Sequence, residues 1–146
     1  MVNKIDDFPL DHVGWRLWDA ARIWKEKFAD EMVAMGHDWY REARSSVVPY
    51  VKKEGTRQAD IVAQMGLSKQ AVQQLIVDLE SSGILRRDPD PNDGRGKIVR
   101  FTETGMAALR DSRKAKAKVE AEMKAELGPE AFDGLMETLR KIGSGD

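Results

Sequence analysis

A Gly-Leu-Ser turn at residues 66–68, set between two short amphipathic segments, constrains the fold of this chain more than any other feature of its sequence. The segment before the turn, residues 57–65, has a helical apolar side formed by Ile61, Val62 and Met65. Gly66 can adopt the left-handed conformation that ends a helix, and Ser68 can cap the helix that follows over residues 69–82. Two short helices joined by such a turn are typical of a helix-turn-helix motif.

The predicted helix over residues 69–82 has one apolar face and one mainly polar face. Its apolar face consists of Val72, Leu75, Ile76 and Leu79. Its opposite face consists of Lys69, Gln70, Gln73, Gln74 and Val77. A glutamine amide can donate to and accept from the edge of an adenine in the major groove, and Lys69 can reach a guanine or a phosphate. Glutamines also favour helix formation and keep any surface helix soluble, so this face taken alone leaves both interpretations open.

The hydrophobic period changes from that of a helix to that of a strand after Gly83. Residues 84–87 and 97–101 predict two short strands that form a hairpin. Between them, residues 88–96 are rich in Pro, Asp, Asn and Gly and predict a loop that is longer than a minimal hairpin turn. Arg95 lies near the tip of that loop, where an arginine can enter a narrow and strongly negative minor groove.

Asp93 stands two residues before Arg95 and would be repelled by phosphates. We therefore expect it to hold Arg95 or to shape the loop. Ser68, with the free backbone amides that follow it, suits a phosphate at the start of the polar helix. Ordinary turn chemistry accounts equally well for an Asp-, Gly- and Pro-rich loop with one arginine, so the loop alone does not decide the function.

Long amphipathic segments precede and follow this central region. Residues 10–35 predict a helix that ends at Gly36 and is apolar on more than one side. Thr102 can cap a long charged helix, and Gly128-Pro129 opens a last amphipathic helix. These end segments are more apolar than a small monomeric core requires.

Residues 38–53 predict another helix, in which Pro49 introduces a bend or marks a junction. Its inward side is formed by Ala43, Val47, Val48 and Val51. Thr56 is expected to cap the short helix over residues 57–65. All these elements together predict a mainly α fold with a small β-hairpin wing, that is, the α+β class of winged helix-turn-helix proteins.

The composition excludes several classes of function. The chain has no cysteine, which excludes disulfide scaffolding, thiolate zinc sites and cysteine nucleophiles. Its two histidines are far apart in sequence and offer few metal ligands, so neither a metal nor another cofactor is expected. No nucleophile with a base, no carboxylate pair and no phosphate loop can be recognised, so we do not expect an enzyme.

The formal net charge of −1 hides an uneven distribution of charge. Residues 41–101 contain 11 basic and 8 acidic residues, whereas residues 1–40 contain 5 and 8 and residues 102–146 contain 8 and 9. The basic centre permits nucleic-acid binding without demonstrating it. No apolar run of about 18 residues exists, and residues 1–8 lack the basic start of a secretory signal, so we predict a cytoplasmic location.

Two stretches of the chain resemble the wing of the MarR family of winged helix-turn-helix transcription regulators. They are LESSGILRR at residues 79–87 and DGRGKIVRFTETG at residues 93–105. The family pattern is a leucine-glutamate end to the recognition helix, a glycine, a short apolar strand and an arginine, then Asp-x-Arg and a Leu-Thr-x-x-Gly-like close. The match is close over residues 56–105 and extends to the whole chain in the order of helices. Phe101 stands where the family usually has leucine, and Gly94 and Gly96 make this wing tip more pliable than many.

The resemblance implies a single MarR-like domain, with dimerisation helices over residues 10–36 and 106–146 and a winged-helix lobe over residues 38–105. It also implies a homodimer that binds a palindromic operator on double-stranded DNA. The apolar end segments support the dimer independently. The expected DNA-binding residues are Thr56, Arg57, Ser68, Lys69, Gln70, Gln73, Gln74, Arg86, Asp93, Arg95 and Lys97. The alternative is a winged-helix interaction module or a nonspecific DNA binder without an effector.

Members of the family often bind small aromatic or lipophilic compounds between the dimer helices and the DNA lobe, and then release DNA. Six residues of the first two predicted helices could form an aromatic pocket with a cationic end: His12, Trp15, Trp18, Trp39, Tyr40 and Arg44. The interpretation that we favour is that the tryptophans form the dimer core, with His12 at the surface or interface. The sequence leaves open the sign of regulation, the operator and the identity of any effector.

Overall fold

A computed structural model describes residues 11–143 of the chain. This part contains five α-helices: α1 (Val13–Ala34), α2 (Gln58–Met65), α3 (Lys69–Ser81), α4 (Glu103–Leu127) and α5 (Pro129–Ile142). It contains three strands: β1 (Thr56–Arg57), β2 (Leu85–Asp90) and β3 (Asp93–Phe101). The predicted class, mainly helical with a small sheet, is confirmed. The predicted helix start at residue 10 and the predictions for residues 1–8 and 144–146 lie outside the described residues.

The described chain divides into two compact units. One unit contains residues 11–31 and 115–143, and the other contains Met32–Lys114. The second unit, which we call the winged-helix unit, contains α2, α3 and the whole sheet.

The core of the winged-helix unit forms where the apolar faces predicted from helical spacing meet the inner side of the sheet. Ile61 of α2 is fully buried, and so are the α3 residues Val72, Ile76 and Leu79. Gly66 ends α2 in the left-handed conformation with φ of 66°, and Ser68 caps α3 by accepting a hydrogen bond from the Ala71 backbone N–H at 3.1 Å. The predicted helix-turn-helix is therefore confirmed.

The helix predicted over residues 38–53 is wrong. Two 3₁₀ helices, Asp38–Arg41 and Ala43–Tyr50, occupy this region and are separated by Glu42, which is extended with φ of −93° and ψ of 156°. Pro49 has no N–H to donate in an α-helix, and the hydroxyls of two serines bind backbone carbonyls three residues earlier. Val47, Val48 and Val51 are buried as predicted, whereas Ala43 is exposed.

The sheet has the strand order β1-β3-β2 and is antiparallel throughout. The strand β1 was not predicted, and it changes the role of Thr56. Thr56 pairs with Val99, and its hydroxyl accepts a hydrogen bond from the Lys52 backbone N–H at 2.9 Å. Its predicted role as a cap of α2 is therefore wrong, and Arg57 takes the N-cap position instead.

The long loop predicted over residues 88–96 is also wrong. β2 continues to Asp90 and β3 starts at Asp93, so only Pro91 and Asn92 form the turn. Backbone pairing across the hairpin accounts for the difference, since residues with turn-forming side chains are held in the ladder by their partners on the opposite strand.

Helix α4 begins as predicted, because the Thr102 hydroxyl accepts a hydrogen bond from the Gly105 backbone N–H at 3.0 Å. Pro129 starts α5 after Gly128, again as predicted. None of the residues of α5 is buried, although the helix is strongly amphipathic. Within residues 11–143, no helix is both long enough and apolar enough to span a membrane.

Candidate nucleic-acid interface

The N-terminal half of α3 presents polar side chains that the fold itself does not use. Lys69, Gln70 and Gln73 are exposed, and none of the three makes a hydrogen bond or ion pair within the described residues. Gln74 differs, because its Nε2 donates to Asp78 Oδ1 at 2.9 Å. Val77, which was predicted on the same face, is half-buried. The free groups of this face are therefore concentrated in its first four or five residues.

A bulge in β3 presents Arg95. Asp90 pairs with Asp93 and Pro89 pairs with Lys97, so residues 94–96 have no partner across the hairpin. The Asp93 carboxylate accepts a hydrogen bond from the Arg95 backbone N–H at 3.0 Å, which shapes the bulge in the way expected of this aspartate. The Arg95 side chain is exposed and has no ion-pair partner among residues 11–143. Arg95 is thus presented by a strand bulge rather than by a loop tip.

Asp90 is a functional candidate that the sequence analysis missed. Its side chain is only 4% exposed, its carboxylate accepts a hydrogen bond from the Asn92 backbone N–H at 2.9 Å, and it forms an ion pair with Arg57 at 3.3 Å. A Cβ atom at Gly96 would lie 3.3 Å from Asp90 Cβ, so a side chain there would crowd the carboxylate. The Asp-Pro-Asn order of residues 90–92 is a turn signal, but nothing in it indicates burial.

The face of the sheet that points away from the core carries alternating charges. Arg86 and Arg100 face each other across the hairpin, and Asp88 binds both, at 3.3 Å and 3.2 Å respectively. Arg100 also donates a hydrogen bond to the Glu54 carbonyl. Arg86 remains 60% exposed, and Lys97 is exposed without a partner in the described part of the chain.

Two of the predicted DNA-binding residues, Thr56 and Arg57, have partners within the fold, and two exposed lysines were not predicted. Thr56 is buried and its hydroxyl is occupied, so we leave it out of the candidate surface. Arg57 is bound to Asp90. Lys52 and Lys53 are exposed in the turn before β1. The sequence signal that could have indicated them is a pair of adjacent basic residues close to a glycine.

Sequence comparison matches the central part of the chain to known proteins. The model of the MarR family matches residues 50–96. The HTH-type transcriptional regulator YdgJ of Bacillus subtilis is 29% identical over 85 residues, which are 58% of this chain and 52% of YdgJ. The match therefore spans about half the length of that relative.

Comparison of folds extends the similarity to almost the whole chain. A MarR-family regulator from Rhodococcus sp. RHA1 is 22% identical with a TM-score of 0.68, over 97% of this chain and 96% of that one. The repressor CouR, solved on a 23-mer DNA duplex, is 21% identical with a TM-score of 0.71 over the same shares. The reduced form of MarR from E. coli is 18% identical with a TM-score of 0.76, over 90% of this chain and 96% of that one.

In sequence the chain is similar to the MarR family over residues 50–96, about a third of its length. At these identities the solved structures show the fold alone, and that fold is the winged helix of this family. MarR-family members are transcription regulators rather than enzymes.

The six candidate effector residues of this chain are divided between the two units. His12, Trp15 and Trp18 belong to the first unit, where the two indole rings stack with centroids 5.0 Å apart. The His12 ring accepts a hydrogen bond from the Trp15 backbone N–H at 3.2 Å, next to the start of α1. Trp18 is 57% exposed, so it is available to a partner.

The other three candidate effector residues lie in the winged-helix unit of the MarR fold. Trp39 is buried in the core with its ring 4.2 Å from that of Tyr40. Burial raises the pKa of Tyr40 to about 12, although a hydrogen bond with Ser112 acts in the opposite direction. These two aromatic rings therefore contribute to packing.

Arg44 lines an open cleft of about 480 Å³ in the winged-helix unit. Its Nη1 donates to the Asp78 carbonyl at 3.3 Å and to Ser82 Oγ at 2.7 Å, and its Nε pairs with Glu42 at 2.6 Å. The cleft is lined by Glu42, Ala43, Arg44, Leu75, Asp78 and Ser81. Arg44 thus has a structural role at the end of α3.

No three side chains of His, Asp or Glu come together as a metal site anywhere in residues 11–143. His37 Nε2 lies 2.8 Å from Asp111 Oδ2, a contact between residues that are far apart in the sequence. This hydrogen bond from His37 is the main reason why the pKa of Asp111 is lowered.

Proposed function

We propose that this protein is a sequence-specific DNA-binding transcription regulator that binds a palindromic operator as a homodimer. The observation that carries the proposal is the free polar face of α3, where Lys69, Gln70 and Gln73 are exposed without partners in the described chain. CouR, which has a similar fold, was solved bound to DNA.

The chemistry of this face fits the major groove. An extended glutamine amide can bind adenine through two hydrogen bonds, and a lysine can bind a guanine edge or a phosphate. The wing adds Arg95, whose guanidinium suits the negative potential of a narrow minor groove, and Lys97, which suits the backbone. Ser68 and the first amides of α3 suit a phosphate. This division assigns base recognition to α3 and positioning to the remaining contacts.

The homodimer is supported by apolar surface on the helices of the first unit. Leu135, Leu139 and Ile142 of α5 are between 37% and 62% exposed, although they share the apolar face of that helix. In α1, Val13, Leu17, Trp18 and Ile23 are exposed as well. A second copy of the chain would bury such surface. A two-fold dimer carries two identical α3 helices, and this symmetry requires a palindromic operator.

Release of DNA by a small aromatic or lipophilic effector is part of the proposal and rests on the family resemblance. Arg44 supports it, because it supplies a cation in an open cleft of a size that suits a small molecule. The test is to titrate phenolic acids while following tryptophan fluorescence and DNA affinity. If neither signal changes, this part of the proposal is refuted for those compounds.

The proposal also includes whether the protein represses or activates transcription, and where in the cell it acts. Similarity to CouR, a named repressor, favours repression, and a reporter gene placed behind the selected operator tests this. We also propose that this DNA-binding regulator acts in the cytoplasm.

The decisive experiment is selection of bound sequences from a random duplex pool, followed by binding of the selected duplex at two salt concentrations. An enriched palindrome with an affinity that falls steeply as salt rises would support a dimeric, sequence-specific regulator. Binding without enrichment would indicate a nonspecific DNA binder. A folded dimer that binds no duplex would instead indicate a protein-interaction module.

A further inference from the structure

We propose that Asp90 is a positioning residue: it holds Arg57 in place for a DNA phosphate and fixes the wing turn beside it. This inference rests on the proposed function, because it concerns how the same surface binds DNA.

The ion pair between Arg57 and Asp90 crosses the whole sheet. Arg57 lies on β1 and Asp90 on β2, and β3 runs between these strands. The missing side chain at Gly96 of β3 leaves room for the carboxylate that completes this bridge. The pair therefore connects the residue at the start of α2 to the wing turn, which are far apart in sequence.

The carboxylate of Asp90 is placed differently from the other acids of the wing. Its side chain is 4% exposed, whereas that of Asp88 on the same strand is 41% exposed. A buried carboxylate is costly unless a cation and hydrogen bonds compensate it, and Asp90 obtains these from Arg57 and the Asn92 backbone N–H. The geometry of the wing turn and the position of Arg57 are therefore set by one side chain.

Arg57 keeps most of its binding capacity while it is held. Its Nε lies 3.3 Å from an Asp90 carboxylate oxygen, its side chain is 54% exposed, and its guanidinium has no other side-chain partner within residues 11–143. A guanidinium fixed through one edge can present the remaining donors to a phosphate, and less side-chain freedom is lost on binding. The remaining donors of the Arg57 guanidinium are cationic and lie in one plane, so the group that they suit is a phosphate of the DNA backbone.

The experiment compares the directions in which two acid-to-amide substitutions change the affinity for DNA. Removing an acid from a surface that binds DNA should strengthen binding by simple electrostatics, so Asp60→Asn is the matched control. Asp60 is exposed in the first turn of α2 and has no ion pair in the described chain. For Asp90→Asn we expect the opposite sign, a loss of about tenfold in affinity for the selected operator. The asparagine keeps the size of the side chain and an oxygen for the turn amide.

Arg57→Gln and the double variant show whether Asp90 acts through Arg57. Arg57→Gln should lower the magnitude of the salt slope by about one per protomer, as expected for one lost phosphate contact. Asp90→Asn should lower the slope as well, and the double variant should bind no more weakly than Arg57→Gln alone. A merely structural role would leave the slope unchanged and make the two losses additive. Thermal unfolding of each variant shows that it is folded.

Arg57→Lys gives a second test if Asp90→Asn does not fold. A lysine keeps the charge but lacks the planar fork that lets one edge bind the buried carboxylate while the other edge binds a phosphate, so its salt slope should approach that of Arg57→Gln. A wild-type slope for Arg57→Lys, an affinity of Asp90→Asn equal to or above that of Asp60→Asn, or fully additive losses would each overturn the inference. Failure of the wild-type protein to bind any duplex would overturn the proposed function first, and the inference with it.

Discussion

Arg44 Nη1 donates a hydrogen bond to Ser82 Oγ over 2.7 Å and so joins the second 3₁₀ helix, Ala43–Tyr50, to the C-terminal end of α3. The same nitrogen donates to the Asp78 carbonyl, one of the last carbonyls of that helix. A cation at this end also interacts favourably with the helix dipole. The helix proposed to bind DNA is therefore held from behind by a residue outside the helix-turn-helix.

Replacing Arg44 by methionine should destabilise the fold, because the apolar stem is kept and the guanidinium bonds are lost. We expect the free energy of unfolding to fall by about 1–2 kcal/mol. Chemical denaturation followed by circular dichroism measures it. Lys53→Met is the matched control, because Lys53 is exposed and has no partner in the described residues, and it should unfold like the wild type. Equal midpoints for all three proteins would contradict the role assigned to Arg44.

Local spacing was sufficient to predict the elements that determine the candidate site. The apolar positions of α3, the Gly66 turn and the Ser68 cap depend on residues at most four positions apart, so helical periodicity and capping chemistry define them. The same holds for Thr102 at the start of α4. These are the features on which the prediction of a DNA-binding surface was based.

The features that could not be predicted depend on partners distant in sequence. β1 exists because Thr56 pairs with Val99, and the Arg95 bulge exists because Asp90 pairs with Asp93. Burial of Asp90 depends on Arg57, on another strand. Neither the turn signals nor the charge pattern of the wing contains this information, so the sequence indicated Arg95 but not the structure that presents it.

Arg95→Ala should weaken binding to the selected operator by about 1–3 kcal/mol. The protein should stay folded, because the Arg95 side chain is exposed and makes no ion pair within the described residues. Fluorescence anisotropy of a labelled duplex measures the affinity, and thermal unfolding tests the fold. Arg113→Ala removes the same charge from an exposed position on α4 and serves as the control. Equal losses of affinity in the two variants would show that Arg95 contributes only general positive charge.

Gln73→Ala should relax the preference for one base pair and change nonspecific affinity little. A contact between a side-chain amide and a base edge contributes discrimination between bases, whereas contacts to phosphates contribute overall attraction. The loss of discrimination at that position should be about 1–3 kcal/mol if the contact is bidentate. Gln74→Ala should have the smaller effect, since the Gln74 amide already donates to Asp78. Competition with single-base-pair variants of the operator measures the preference.

Gln64→Ala, an exposed glutamine on α2, is the control for Gln73→Ala. Its base preference should match that of the wild type. If Gln73→Ala, Gln74→Ala and Arg95→Ala all keep both the affinity and the preference of the wild type, the proposed DNA-binding surface is ruled out.

The contact between His37 and Asp111 should make stability fall in acid. The hydrogen bond from His37 is the main cause that lowers the pKa of Asp111 below its ordinary value of 3.8. A carboxylate with a lowered pKa in the folded state contributes stability that is present above the unfolded pKa and is lost as the pH falls through the folded pKa. The contribution should therefore decline as the pH falls below about 4.

Asp111→Asn removes this titration, so the difference in stability between wild type and variant should shrink as the pH falls below about 4. Denaturant unfolding between neutral and acid pH measures it. Asp60→Asn, which has no such partner in the described chain, should keep the wild-type dependence on pH. A difference between wild type and Asp111→Asn that stays the same down to the lowest pH at which both are folded would show that the charge of Asp111 contributes nothing to the fold.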